Sequence, residues 1–152
     1  MKITTQIRFA RPDDIEGILD LCEAHAIYER SNYSRNGKKT RLKNDLFGND
    51  KKLFCLVVES NNELIGYATY MKQYATWSAS EYIYMDCLFL KKRARGMGIG
   101  EKLIQTIKVE GEQIDCQRIE WQTPDFNHRA IKFYNRIGAS SRTKERFFLR
   151  IQ

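Results

Sequence analysis

Three glycines alternate behind two arginines in Arg93-Ala94-Arg95-Gly96-Met97-Gly98-Ile99-Gly100, a grouping suited to holding an anion. Before it, Tyr82 to Leu90 is apolar on both alternating faces, as in a strand buried within a sheet. After it, Leu103, Ile104 and Ile107 recur at helical spacing. Glycine lets the backbone approach a ligand closely, and the free N–H groups at a helix start point at negative charge. The ligand should carry phosphate. A nucleoside-triphosphate loop ends in Gly-Lys-Ser or Gly-Lys-Thr, which Gly100-Glu101-Lys102 does not supply. A dinucleotide fingerprint reads Gly-x-Gly-x-x-Gly near the start of a domain, whereas these glycines are spaced Gly96-x-Gly98-x-Gly100 in mid-chain.

A second constellation lies about thirty residues downstream: Asn127-His128-Arg129-Ala130-Ile131-Lys132-Phe133-Tyr134-Asn135-Arg136-Ile137-Gly138-Ala139. Arg93-x-x-Gly96-x-Gly98, or in the other frame Arg95-x-x-Gly98-x-Gly100, resembles the acetyl-CoA motif of the GNAT N-acetyltransferases, Gln/Arg-x-x-Gly-x-Gly/Ala. The Asn127 segment is similar to that family's later signature, and the order of the two matches as well. The resemblance implies acetyl-CoA as cosubstrate, with its pyrophosphate on Arg93, Arg95, Gly96, Met97, Gly98, Ile99, Gly100 and Glu101. It implies that Leu88 and Leu90 offer backbone groups to the pantetheine, and that Asn127 binds the pantetheine, caps a helix, or both.

Acetyl transfer to an amine makes three physical demands. The amine must lose a proton, since an alkylammonium with a pKa near ~10.4 has no lone pair to attack with. The developing oxyanion needs a donor. The departing thiolate needs an acid within hydrogen-bond reach. Tyr134 holds the position of the family's tyrosine facing the CoA sulfur, and a phenol stays protonated at neutral pH. Asp86 and Glu29 are implied to meet a cationic amine. Asp86 as the base competes with a structural role, because strand carboxylates often serve only as hydrogen-bond acceptors. His25 is a lesser candidate for the substrate side, and His128 reads as a surface residue. With no strong base evident, the rate is expected to rise from pH 7 to 9 as free amine accumulates. No metal site is expected.

Further segments look like the spermidine/spermine (diamine) branch: Tyr28-Glu29, Asp45-Leu46-Phe47-Gly48, Cys55 to Glu59, Tyr74-x-x-Trp77 and Tyr82-x-x-x-Asp86. They add Tyr28 and Trp77 to the expected substrate residues, and the resemblance implies a homodimer. One departure stands out: the branch has Glu before its strand Asp, and this chain has Met85. The expected acceptor is therefore the primary amine of a small molecule, with polyamines poor. Diamines, thialysine-like amino acids, aminoglycosides and protein N-termini or lysines all stay open, as does a non-catalytic acyl-CoA sensor.

The elements that must position these residues follow an α/β order. Thr4 to Ala10 reads as a strand, and Pro12-Asp13-Asp14 opens a helix with a possible Asp13–Glu16 capping box. A polar stretch over 30–45 leads to a short helix around Lys43. Leu53 to Ser60 and Leu64 to Lys72 read as a hairpin across Asn61-Asn62. The glycine strand and helix come next, followed by a fifth strand over 118–123, a short helix from His128 and two closing strands. The last strand alternates Phe147, Leu149 and Ile151. The predicted fold is a single GNAT-like α/β domain over 1–152: a mixed, mostly antiparallel sheet of about seven strands with about four helices.

Bulk properties fit this reading. A chain of 152 residues with 42% hydrophobic and 30% charged residues suits one ordinary globular domain. No apolar run approaches ~20 residues, and the N-terminus lacks a signal-peptide core, so a cytoplasmic enzyme with no membrane partner is expected. The four cysteines are widely spaced and read as reduced, buried thiols. The net charge of +7 suits a rim around a polyanionic cosubstrate. Nucleic-acid binding is not expected, because no helix-turn-helix, zinc-knuckle or RNA-recognition pattern is present.

Overall fold

The structure, a computed structural model, describes residues 3–152. The chain divides into two compact units, Met1–Gln122 and Thr123–Gln152. The first contains β1 (Gln6–Phe9), α1 (Ile15–Tyr28), α2 (Lys38–Phe47), β2 (Phe54–Ser60), β3 (Glu63–Ala75), β4 (Ser80–Leu90), α3 (Ile99–Gln113) and β5 (Ile119–Glu120). The second contains α4 (His128–Arg136). Among the described residues no helix is long and apolar enough to cross a membrane.

The strands form one sheet in the order β1-β2-β3-β4-β5, antiparallel throughout except for the parallel β4–β5 pair. Asn61 and Asn62 both take positive φ (50° and 62°), the backbone of the two-residue hairpin turn that the sequence predicts. One face of the sheet packs Cys55, Val57, Tyr67 and Phe89 against Ile18 and Leu21 of α1 and Leu46 of α2. The opposite face meets α3, where Ile83 lies against Gly111. Leu103 and Ile107 of that helix are fully buried, each such side chain contributing about 1.5–3 kcal/mol.

Helix α1 starts differently from the expected Asp13–Glu16 box. The Asp14 carboxylate accepts from the Arg11 N–H at 2.7 Å and pairs with Arg8 at 2.7 Å. Arg8 also reaches Glu59 at 2.8 Å, so one guanidinium ties β1 to the helix start and to β2. It holds the Asp14 carboxyl below its ordinary value of 3.8. A depressed carboxylate stabilises the fold above its unfolded pKa and loses that contribution as pH falls through the folded one. Asp14→Asn should therefore lower the melting temperature at pH 7, with the gap to wild type closing below pH 3.8.

The sheet has five strands where about seven were expected. The missing pair is the closing one: residues 139–152 form no strand, and Phe147, Leu149 and Ile151 are more than nine-tenths exposed. Period-two alternation makes a segment ready to be a strand but supplies no edge for its ladder. β5 is likewise reduced to two residues. Gly66 is needed for close packing at the sheet centre. A Cβ there would stand 2.4 Å from Leu90 Cδ2 and 3.0 Å from the Phe89 carbonyl. Gly66→Ala should cost about 1–3 kcal/mol in chemical denaturation, the usual penalty of overpacking.

Candidate active site

The glycine turn is built as an anion cradle. Gly96 and Gly98 adopt φ of +77° and +76°, and no heavy atom lies within 4 Å of where a Cβ would stand on either. L-residues rarely take this conformation, and the empty space before both Cα atoms lets a ligand lie directly on the backbone. Gly98 is the N-cap of the 15-residue helix α3, with no side-chain hydrogen bond across the cap. The first helical bond runs from Lys102 N to Gly98 O at 3.1 Å, so the N–H groups of Gly98, Ile99, Gly100 and Glu101 are left for an outside acceptor. These residues fit the diphosphate of a coenzyme A.

The two expected arginines are engaged elsewhere. Arg93, with Lys91, pairs with Glu63 at the end of the β2–β3 hairpin. Arg95 donates from Nε to the Leu90 carbonyl at 2.8 Å and lies 4.4 Å over the Tyr28 ring. Leu90 therefore has its carbonyl engaged by Arg95, and the turn itself offers backbone N–H groups. Met97 projects into solvent.

Strand β4 carries a bulge at its centre. Thr69 faces Cys87 and Tyr70 faces Met85, which leaves Asp86 as the extra residue. A bulge re-aims side chains and ends pairing. β5 pairs only with Ile83 and Tyr84, so the β4 edge from Met85 through Leu90, including Leu88, has no strand on that side among the described residues. Beside the bulge, the buried Thr69 hydroxyl has no hydrogen-bond partner. Met85, where the diamine branch has Glu, is 2% exposed on the α3 face.

The end of α1 closes on this bulge. His25 Nδ1 lies 2.8 Å from the Tyr67 hydroxyl, and its ring stacks on Phe89 at 5.1 Å. Its Nε2 faces Glu29, one helical turn on, at 3.5 Å. Tyr28 packs on Phe89 at 6.1 Å, and Cys87 Sγ lies 3.7 Å from Asp86 Oδ2. Burial pushes the Tyr67 phenol well up, the Cys22 thiol up, and the Cys87 thiol up to about 12, so all three stay protonated. Burial also lowers the His25 imidazole from its ordinary 6.5, against the opposing pull of Glu29 and Asp86.

Tyr28, Glu29, Asp86, Leu88, Leu90 and Arg95 are thus brought together around one bulge. Trp77 is not. It sits fully exposed at the tip of the β3–β4 hairpin. The six steps along the strand from Ser80 to Asp86 put it roughly 20 Å from the bulge at ~3.3 Å per residue. His25 and Tyr67 are the residues sequence reasoning undervalued. The available signal was His25 and Glu29 at helical i,i+4 spacing. In the second unit, Asn127 caps α4: its Oδ1 accepts from Ala130 N at 3.4 Å and its Nδ2 donates to Thr123 Oγ1 at 3.1 Å. Tyr134 lies half-buried on that helix, its ring 5.3 Å from Phe133.

Residues 18–139 match the model of the acetyltransferase (GNAT) family. The chain is 30% identical to the thialysine N-epsilon-acetyltransferase of Bos taurus, over 91% of this chain and 85% of that protein. It is 26% identical to the Mus musculus protein of the same name, over 96% and 90%. Among solved structures, an aminoglycoside N-acetyltransferase in complex with CoA superposes with a TM-score of 0.82 over 100% of this chain and 98% of that one, at 14% identity.

Proposed function

This chain belongs to the acetyltransferase (GNAT) family, and we propose that it moves an acetyl group from acetyl-CoA to a primary amine of a small molecule. It is an N-acetyltransferase, and the proposed route is direct attack of the amine on the thioester, with no covalent enzyme intermediate. The observation that carries acetyl-CoA as donor is the open, positive-φ turn of Gly96 and Gly98 at the uncapped start of α3. Bound there, the cosubstrate supplies the activated acetyl group. The N–H groups of residues 98–101 bind its diphosphate, and the unpaired β4 edge offers hydrogen bonds along Leu88. Glu29 and Asp86 hold a cationic amine next to the bulge. Tyr134 is the group we assign to protonate the departing sulfur. Residues 1–152 act as one catalytic domain in a cytoplasmic homodimer, and a second copy is what would bring a partner surface to the exposed Trp77. Sedimentation equilibrium checks the dimer.

The test is a thiol-release screen with acetyl-CoA across thialysine, lysine, mono-amines, amino sugars and spermidine. Release with at least one small primary amine is expected. Coenzyme A binding without release by any amine would leave a non-catalytic sensor. Two observations favour a small amino-acid-like amine over a polyamine: the thialysine acetyltransferases among the relatives, and the apolar Met85 before Asp86. Spermidine should accordingly show a kcat/KM at least about tenfold below the best small amine, roughly the loss of one ionic hydrogen bond. Spermidine as the favoured substrate would remove Met85 from the account of specificity.

A further inference from the structure

The unsolved step in that chemistry is the amine's proton. A carboxylate of ordinary acidity is a poor acceptor at neutral pH, whereas an imidazole near 6.5 is well matched to the task. The strand position before Asp86 holds an apolar Met, buried in the core. The only histidine of the first unit stands instead between Tyr67 and Glu29. Resting on the acetyltransferase reading, we propose that His25 Nε2 is the base that takes the proton from the acceptor ammonium, with Glu29 pairing the imidazolium that results.

The hydrogen-bond inventory leads there. Tyr67 has one proton to give, and the Cys22 and Cys87 sulfurs are both within its reach. When the phenol donates to a thiol, its oxygen accepts from His25 Nδ1–H across the 2.8 Å contact. That fixes the tautomer and leaves the lone pair on Nε2. The Nε2–Glu29 contact, at 3.5 Å, is longer than a good N–H···O bond of 2.7–3.2 Å, so Glu29 holds this nitrogen only loosely. The gap suits an ammonium that donates to Glu29 and to Nε2 at once. In the step itself an N–H bond of R–NH3+ breaks and an Nε2–H bond forms. The freed pair attacks the thioester carbon, the electrons of the C–S bond leave with sulfur, and the second proton of the attacking nitrogen is lost to solvent as the neutral amide forms. His25 becomes imidazolium beside the Glu29 carboxylate. Groups facing the ring are Glu29 at the C-cap of α1, Tyr67 from β3 and Asp86 from β4, with Cys22 and Cys87 behind Tyr67 and the Arg95 guanidinium 5.5 Å from the stacked Phe89. Burial disfavours the charged ring, while the two carboxylates favour it once the proton is accepted.

The test is kcat from pH 5.5 to 9.5, with saturating acetyl-CoA and the best amine of the screen. In wild type, kcat should level off by about pH 7, its acid limb at or below the ordinary imidazole value. His25→Gln should turn over about 10²-fold slower at pH 7, gain tenfold per pH unit through pH 9, and keep its affinity for CoA. Glu29→Gln should move the acid limb to lower pH, because the charge that favours the imidazolium is gone. A wild-type rate that climbs tenfold per unit from pH 7 to 9 overturns the role of His25 while leaving the acetyltransferase intact. So does a folded His25→Gln with a wild-type profile. If His25→Gln loses its melting transition, Glu29→Gln decides: a shifted limb supports the base and an unmoved one overturns it. A protein that binds CoA and releases thiol with no amine overturns both readings.

Discussion

Gly98→Val should lower affinity for CoA by at least about 100-fold, measured by calorimetry with desulfo-CoA. The size follows from what a side chain at this position blocks. A diphosphate on the turn takes hydrogen bonds from two or more N–H groups of residues 98–101, each worth about 1.5–3 kcal/mol to a charged oxygen. A branched Cβ projects into the space that the ligand needs, now empty to 4 Å. The substitution also strains the backbone at φ +76°, at about 1–2 kcal/mol. That strain is a stability effect and needs its own control. Gly37 provides one, with φ +69° at the N-cap of α2 and only the flexible Arg41 side chain near a new Cβ. Gly37→Val should lose comparable stability and keep CoA affinity. Wild-type affinity in a folded Gly98→Val protein would take the phosphate off this turn.

The glycine turn was legible in the sequence because its chemistry is local. Strand, turn and helix are consecutive, and positive φ leaves a mark in residue type. The β2–β3 hairpin was legible for the same reason, since Asn61 and Asn62 carry the turn backbone themselves. The closing strands were not, because Phe147, Leu149 and Ile151 supply alternation without a partner edge. The helix cap moved from Asp13 to Asp14 because Arg8 and Glu59, one from β1 and one from β2, decide which carboxylate is held. The bulge at Asp86 depends on register with Thr69 and Tyr70, which a single strand cannot announce. His25 was hidden in the same way. Its helical spacing to Glu29 was visible, but Tyr67, forty-two residues away, is what orients the ring. The arginines show the converse: the motif draws attention to their charge, while the contacts to Glu63 and the Leu90 carbonyl come from residues outside the motif.

Tyr134→Phe should lower kcat by about 10²-fold, the usual contribution of one acid–base group, and leave the KM for acetyl-CoA within a few-fold of wild type. The change deletes a single oxygen. The ring that stands 5.3 Å from Phe133 remains, as does the Asn127 cap on Ala130 N. Direct attack on a thioester expels a thiolate, and the phenol's proton makes the departing sulfur a neutral thiol. The loss should therefore shrink with a donor whose thiolate is a better leaving group, because such a group needs the acid less. A structural role for Tyr134 predicts the same fractional loss with every donor. If His25 takes the amine's proton and Tyr134 gives one to sulfur, their variants should differ in pH behaviour as well. Raising the pH restores His25→Gln by supplying free amine, but it supplies no proton to sulfur and leaves Tyr134→Phe slow at pH 9. Wild-type kcat in Tyr134→Phe with any accepted amine would end the assignment of this residue as the acid.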